Sequence, residues 1–340
     1  MSTRSLILRT AALPPIEGTV RRSRLFRPLV GRFIAGNDLS EALVQCEKLS
    51  RKGLDSTLDY LGENTHRLSE AERATDIFVE MVETLASTPA LLDFRKAGGH
   101  LSDRHGSDRH GSDGDGSAVG GGGVGALDPA IEPLNISIKL TQCGLDLGLH
   151  VAEANYRRVL VAASDRDQFV RVDMEGSAYT QQTLDLVLKL RDEFPQTGTV
   201  LQSYLYRTDD DVARVIAAGL RVRLVKGAYL EPASVAYPEK HKVDEAFVRQ
   251  AKALLKDGYF PAIATHDEAI VRELKRFADA EGIGRRRFEF QMLYGIRRDL
   301  QEQLHAEGYR VRVYVPFGDQ WYPYFTRRLA ERPANTLFIL

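Results

Sequence analysis

Short β-branched runs recur along this chain, and the gaps between most of them hold a helix, a rhythm that restricts the fold more than any other feature. ISIKL (136–140), FVRVDME (169–175), TVLQSYLY (199–206), RVRLVKG (221–227), PAIATH (261–266), RFEFQML (287–293) and YRVRVYVP (309–316) are separated by helical stretches such as TQQTLDLVLKLRDEF, DDDVARVIAAG and KVDEAFVRQAKALLKDG. An earlier pair, GLDSTLDYLGE (53–63) and SEAERATDIFVEMVETLA, opens the series, with Ser69 and Glu72 spaced as a capping box. Eight strands alternating with helices predict an α/β fold, a closed (β/α)8 TIM-like barrel rather than a doubly wound sheet. The 340 residues, 43% of them hydrophobic, suffice for one large barrel with a sizeable core.

Residues 24–52 read as two helices: Leu25, Phe26, Leu29, Val30 and Phe33 fall at helical spacing, and Asp38 or Ser40 opens a second stretch that ends at Gly53. Residues 1–52 are therefore expected to form an N-terminal helical arm, and 53–340 the barrel. An interruption at about 97–130 differs in kind. From Gly98 to Gly125 eleven of 28 residues are glycine and DRHGS occurs twice. Such a tract buries too little to offset its ordering entropy and reads as a disordered linker. Its His100, His105 and His110 beside Asp103, Asp108 and Asp113 do not read as a dedicated metal site on so floppy a segment, and GGGGVG lacks the flanking strand and helix of a dinucleotide loop. A net charge of -1 predicts no bulk attraction to nucleic acid. Two distant cysteines, Cys46 and Cys143, suggest a reducing cytosol. No apolar run approaches the roughly 20 residues of a membrane span.

In a barrel of this kind, chemistry sits at the C-terminal strand ends. Here those ends carry Glu63, Lys139, Asp173, Gln202, Arg223, Lys226, Thr265, His266, Gln291, Leu293 and Tyr314. After the last strand, WYPYFTRRLAERP (321–333) places Tyr324, Arg327, Arg328 and Glu331 on one helical face, where a core-packing helix would be apolar. Read alone, that face serves equally as a solvated one. Together with Lys139, Arg223 and Lys226, the two arginines surround one mouth with more cations than the acids at these positions can pair, which points to an anionic ligand.

The segments TLDYLGE, ISIKLTQCGLDL, VDMEGS, LQSYLYR, RLVKGAYLEP, ATHD, FEFQMLYG, RVYVPFG and YPYFTRRLAERPAN resemble, in order and spacing, proline dehydrogenase of the small monofunctional bacterial type, over residues 24–340 apart from the linker. The resemblance implies a distorted barrel with its last helix across the mouth, binding FAD on the barrel itself. It implies oxidation of L-proline to Δ1-pyrroline-5-carboxylate, the first step of proline catabolism to glutamate. Hydride would pass from C5 to flavin N5, and a membrane quinone would reoxidise the flavin at the inner face of the cell membrane. Carried onto matching positions, it gives Arg327, Arg328 and Lys139 the substrate carboxylate, with Asp173 orienting Lys139 or an arginine. Tyr314 and Leu293 would pack on the ring methylenes, and Glu63 would pair with an arginine as a gate. Gln202, Arg223, Lys226 and His266 would contact the flavin or its phosphates, with Thr265 and Ala228 close by.

Two departures from the family stand out: the long linker, and an end at TLFIL that implies a missing C-terminal segment. The alternatives are a hydroxyproline dehydrogenase, disfavoured by the bulk of Tyr314, and a lyase using Lys139 or Lys226 as a Schiff base. No general base for the substrate amine is evident.

Overall fold

The structure, a computed structural model, describes residues 14–23, 26–96 and 131–331. The glycine-rich tract at 97–130, the chain end after 331 and the Glu331 side chain lie outside the described residues.

Eight parallel strands form a closed barrel in sequence order: β1 (Asp55–Tyr60), β2 (Leu134–Ile138), β3 (Val170–Val172), β4 (Thr197–Gln202), β5 (Arg221–Val225), β6 (Ala262–Ala264), β7 (Glu289–Leu293) and β8 (Arg310–Phe317). β8 pairs with β1 from Asp55↔Arg312 to Tyr60↔Phe317 and so shuts the ring. Among the described residues, three helices precede the barrel: α1 (Pro14–Arg22), α2 (Arg27–Phe33) and α3 (Leu39–Ser50). The expected strand and helix after them are β1 and α4 (Leu68–Ala86), which is followed by α5 (Pro89–Lys96). Then come α6 (Leu149–Ser164), α7 (Ser177–Arg191), α8 (Thr208–Ala217), α9 (Lys240–Asp257), α10 (Glu268–Ala280), α11 (Arg298–Ala306) and α12 (Tyr322–Glu331).

Asp38 caps α3, accepting from the Glu41 amide at 2.9 Å. The capping box at Ser69 does not form. The chain leaves extended dihedrals at Arg67, so Ser69 already lies in the first turn of α4, and Glu70 instead accepts from the His66 amide at 3.1 Å. A serine inside the helix cannot hold the extended backbone that a cap requires.

The apolar core lies between the barrel wall and the helices. On β8, Val311, Val313 and Val315 face this layer and are at most 1% exposed, while Arg310, Arg312 and Tyr314 alternate with them. The lumen itself is ionic instead of being filled by branched aliphatics. At its N-terminal end Arg221 bonds Glu132 through both terminal nitrogens at 3.0 Å, and Arg312 Nε reaches Glu289 at 3.0 Å. Nearer the mouth, Arg223 spans the ring from β5, donating to Asp173 at 2.6 Å, to Gln291 at 2.5 Å and to Ser137 at 3.0 Å. Such paired buried charges fix a register rather than add much stability.

Candidate active site

Lys139, one residue beyond β2, is 6% exposed and donates to Asp59 at 2.7 Å, with Asp173 at 4.0 Å. Burial works against its charge, but Asp59, Asp173 and Glu63 outweigh that and raise its pKa, so the ammonium is held firmly ionised. Asp173 takes Arg223 on one oxygen and the Tyr314 hydroxyl, at 2.7 Å, on the other. The Arg223 guanidinium lies 5.0 Å from the Tyr314 ring centroid. Burial, then the charges of Asp173 and Asp59, keep the Tyr314 phenol protonated. Leu293 and Tyr314 are register partners across β7 and β8. Of the residues expected at the substrate, Lys139, Asp173 and Tyr314 thus form one bonded group.

Above that group lies α12. Tyr324 packs with Ile34 and Leu61, against Val30, Tyr314 and Trp321, and the Phe325 ring meets Phe33 at a tilt of 58°. Apolar residues of α12 therefore seat it on α2 and the β1 end. Arg327 donates to Glu63 at 2.7 and 3.3 Å, and its guanidinium stands 5.7 Å from the Tyr229 ring. Glu63 follows β1 and Tyr229 follows β5, opposite positions in an eight-membered ring, so α12 lies across the mouth. Burial pushes the Glu63 carboxyl up, but the Arg327 charge and hydrogen bond more than reverse this and leave it below its usual range. Arg328 lies with its guanidinium 5.1 Å from the Tyr324 ring.

The residues expected at the cofactor are spread along one side of the ring. Gln202 ends β4; its Nε2 donates to the Glu175 carbonyl at 3.2 Å, and its buried Oε1 accepts no hydrogen bond from the described residues. Lys226 pairs with Asp244 at 2.5 Å and Asp267 at 3.2 Å. A groove of about 670 Å3 between α9 and α10 adjoins that pair and is lined by Asp244, Arg249, Lys252, Asp267, Ile270 and Glu273. Gly227 follows Lys226 with φ +112°, and a Cβ there would lie 2.4 Å from the Tyr204 ring; only glycine lets the chain turn here to present Ala228 and Tyr229. His266 Nε2 accepts from the Leu293 amide at 2.9 Å, which ties it to the end of β7, and the Thr265 hydroxyl accepts from the Asp267 amide at 3.1 Å.

Sequence reasoning missed Asp59, Tyr229, Asp244 and Asp267. Their presence corrects the claim of surplus cations: Lys139, Arg223, Lys226 and Arg327 each have a carboxylate within 3 Å. The case for an anionic ligand rests instead on two adjacent arginines over the mouth. Strand alternation carried the signal for Asp59, since Asp55, Thr57 and Asp59 share the face of β1 that meets Arg310, Ser137 and Lys139.

A family model described as proline dehydrogenase matches residues 42–339. The chain is 38% identical to proline dehydrogenase of Deinococcus radiodurans over 99% of its own length and 96% of that protein's. To proline dehydrogenase 1 of Bacillus subtilis strain 168 it is 36% identical, over 91% and 88% respectively. Among solved structures it resembles proline utilization A of Bdellovibrio bacteriovorus inactivated by N-propargylglycine, with a TM-score of 0.77 at 24% identity. That match covers 98% of this chain and 36% of the larger one, and it bears on the fold.

Proposed function

From the premise that this chain belongs to the proline dehydrogenase family, we propose that it oxidises L-proline to Δ1-pyrroline-5-carboxylate with FAD, passing the electrons to a membrane quinone. The observation that carries the reading is Arg327, set over the mouth between Glu63 and Tyr229 with Arg328 beside it. Adjacent guanidinium groups suit a carboxylate. Lys139, kept charged by Asp59 and Asp173, adds a third cation for it. Anchoring the carboxylate fixes the ring in one orientation, with Tyr314 and Leu293 against its methylenes.

The residues at the ends of β4 and β5 fit a flavin. The buried Gln202 Oε1 needs a donor, which the edge of a flavin ring provides, and the Ser203 hydroxyl beside it likewise has no partner among the described residues. Gln202 and Arg223 would hold the ring system, and Lys226 the phosphates, with Ala228, Thr265 and His266 nearby. A bound flavin would accept the hydride that leaves C5 of the substrate. Arg223 supplies a fixed positive charge at that end of the barrel, and α12 keeps water from the mouth. Among the described residues no helix is long and apolar enough to cross a membrane, which suits a peripheral enzyme meeting quinone at the inner face of the cell membrane.

A Schiff-base lyase would need a neutral lysine, and the raised pKa of Lys139 speaks against that residue in the role. The test is an anaerobic visible spectrum of the purified protein before and after L-proline, with trans-4-hydroxy-L-proline as comparison. A yellow protein bleached by proline and hardly by hydroxyproline is expected. A protein that stays colourless after FAD is added would overturn the assignment.

A further inference from the structure

Glu63 is carried by residues 61–66, a segment without regular structure between β1 and α4, and three hydrogen bonds tie that segment to one residue just past the neighbouring strand β2. Thr141 Oγ1 accepts from the Asn64 amide at 3.1 Å, and its carbonyl accepts from the Thr65 hydroxyl at 2.6 Å and the Thr65 amide at 3.4 Å. Asn64 is held at φ +56°, a left-handed conformation that asparagine adopts more readily than most other residues with a side chain.

Thr141 is in turn fixed from below. It is fully buried, and its amide and hydroxyl both reach the carboxylate of Glu175, itself 3% exposed, at 3.1 and 2.5 Å. By taking the hydroxyl hydrogen, Glu175 leaves the oxygen's lone pairs for the Asn64 amide. Without that acceptor the hydroxyl is free to rotate.

We infer that Thr141 and Glu175 form a latch that sets the position of Glu63, and through Glu63 that of Arg327, making both positioning residues for the substrate carboxylate. Glu175 touches neither Glu63 nor Arg327 through any hydrogen bond of its own. Its hydrogen-bonded route to the arginine is Glu175, Thr141, Asn64, the backbone to Glu63, and the 2.7 Å bond to Arg327. The Glu175 carbonyl also accepts from Gln202, so the same residue borders the proposed flavin side of the mouth. This inference rests on the proposed proline oxidation.

Thr141→Val preserves the shape of the side chain and removes the hydroxyl. It should raise the apparent KM for L-proline about tenfold while kcat and flavin content change little, because one buried hydrogen bond to the gate is lost. Thr141→Ser restores the hydroxyl and should return KM to near the wild-type value. In a Glu63→Gln background, where the latch has no carboxylate to position, Thr141→Val should add less than about twofold. Glu175→Gln still accepts the Thr141 amide but reverses the bond to its hydroxyl, and should give a smaller KM rise of about threefold; it keeps the test open if Thr141→Val unfolds.

An unchanged KM in Thr141→Val, or an equal KM rise with and without Glu63→Gln, would overturn the latch. A wild-type protein that does not oxidise proline would overturn the underlying reading instead, and the two failures are distinguishable.

Discussion

Replacing Arg327 by methionine should cost more than the loss of one anchor. Methionine keeps most of the stem volume and removes the charge. In the role proposed for Arg327, the first loss is the charge-assisted bonding to the substrate carboxylate, about 1.5–3 kcal/mol. The second arises from Glu63, which Arg327 holds through bonds of 2.7 and 3.3 Å. In Arg327→Met the remaining donor to Glu63 is the Tyr229 hydroxyl at 3.3 Å. An unneutralised carboxylate then faces the incoming one, and two charges roughly 6 Å apart at an effective dielectric of about 20–40 repel by about 1–3 kcal/mol. Together these predict a fall in kcat/KM of about 10²- to 10⁴-fold, carried mainly by KM.

Because the second part belongs to Glu63, adding Glu63→Gln to Arg327→Met should recover about tenfold. The assay is steady-state proline oxidation with a soluble quinone, alongside flavin content from visible absorbance. A single variant within about threefold of wild type, or a double variant no better than the single one, would refute the reasoning.

Three further outcomes can be measured by equilibrium unfolding. Lys139→Met leaves Asp59, 1% exposed at its side chain, without its cation and should destabilise the fold by about 3–5 kcal/mol, part of which Asp59→Asn should restore. Although burial pushes the Glu289 carboxyl up, Arg312 and Arg221 hold it down to about 2. Its contribution is therefore complete above the ordinary 4.5 and lost as pH falls towards about 2, so Glu289→Gln should flatten the acid limb of a stability–pH curve. Glu175 runs the other way: burial, against the Thr141 hydrogen bonds and Lys139, raises its carboxyl to about 7. The folded state then keeps a proton that the unfolded chain has lost, so stability should decline from 4.5 up to about 7 and stay reduced above it. Glu63, Lys139, Cys143, Tyr179 and Tyr229 are the titratable groups coupled to it, and Glu175→Gln should remove the decline; an identical pH dependence in the two proteins would count against it.

The barrel was legible because each strand announces itself twice, by β-branched runs and by the helix that follows. All eight expected strands are present, with ends displaced by a few residues: FVRVDME shrinks to Val170–Val172, while ISIKL shifts back to Leu134–Ile138 and leaves Lys139 just outside. Of the candidate site, the sequence made legible Lys139 and Asp173 just past their strands and Tyr314 within β8, which the structure brings into one bonded group. The site was obscure in two kinds of place. Asp59 sits mid-run, where period-two alternation points it into the lumen, and a search for polar strand ends passes over it. Asp244 and Asp267 lie on and just before the outer helices α9 and α10, and only the closed ring brings them to Lys226. The Ser69 capping box failed for a local reason, a helix whose cap lies two residues earlier, at Arg67, than the pattern suggested.

Arg21, on α1, stands 5.0 Å from the Trp321 ring and 5.8 Å from Tyr322, and donates to the Asp319 carbonyl at 2.9 Å, across 298 residues of sequence. The start of the described chain thus grips the approach to its last helix, the one bearing Arg327 and Arg328. During synthesis all eight strands are made before Asp319, so they can emerge before that grip is available. Arg327 and Arg328 acquire their seat only when the segment around Arg21 meets the residues that follow β8, so a chain made only as far as β8 has the strands of a barrel but no completed mouth.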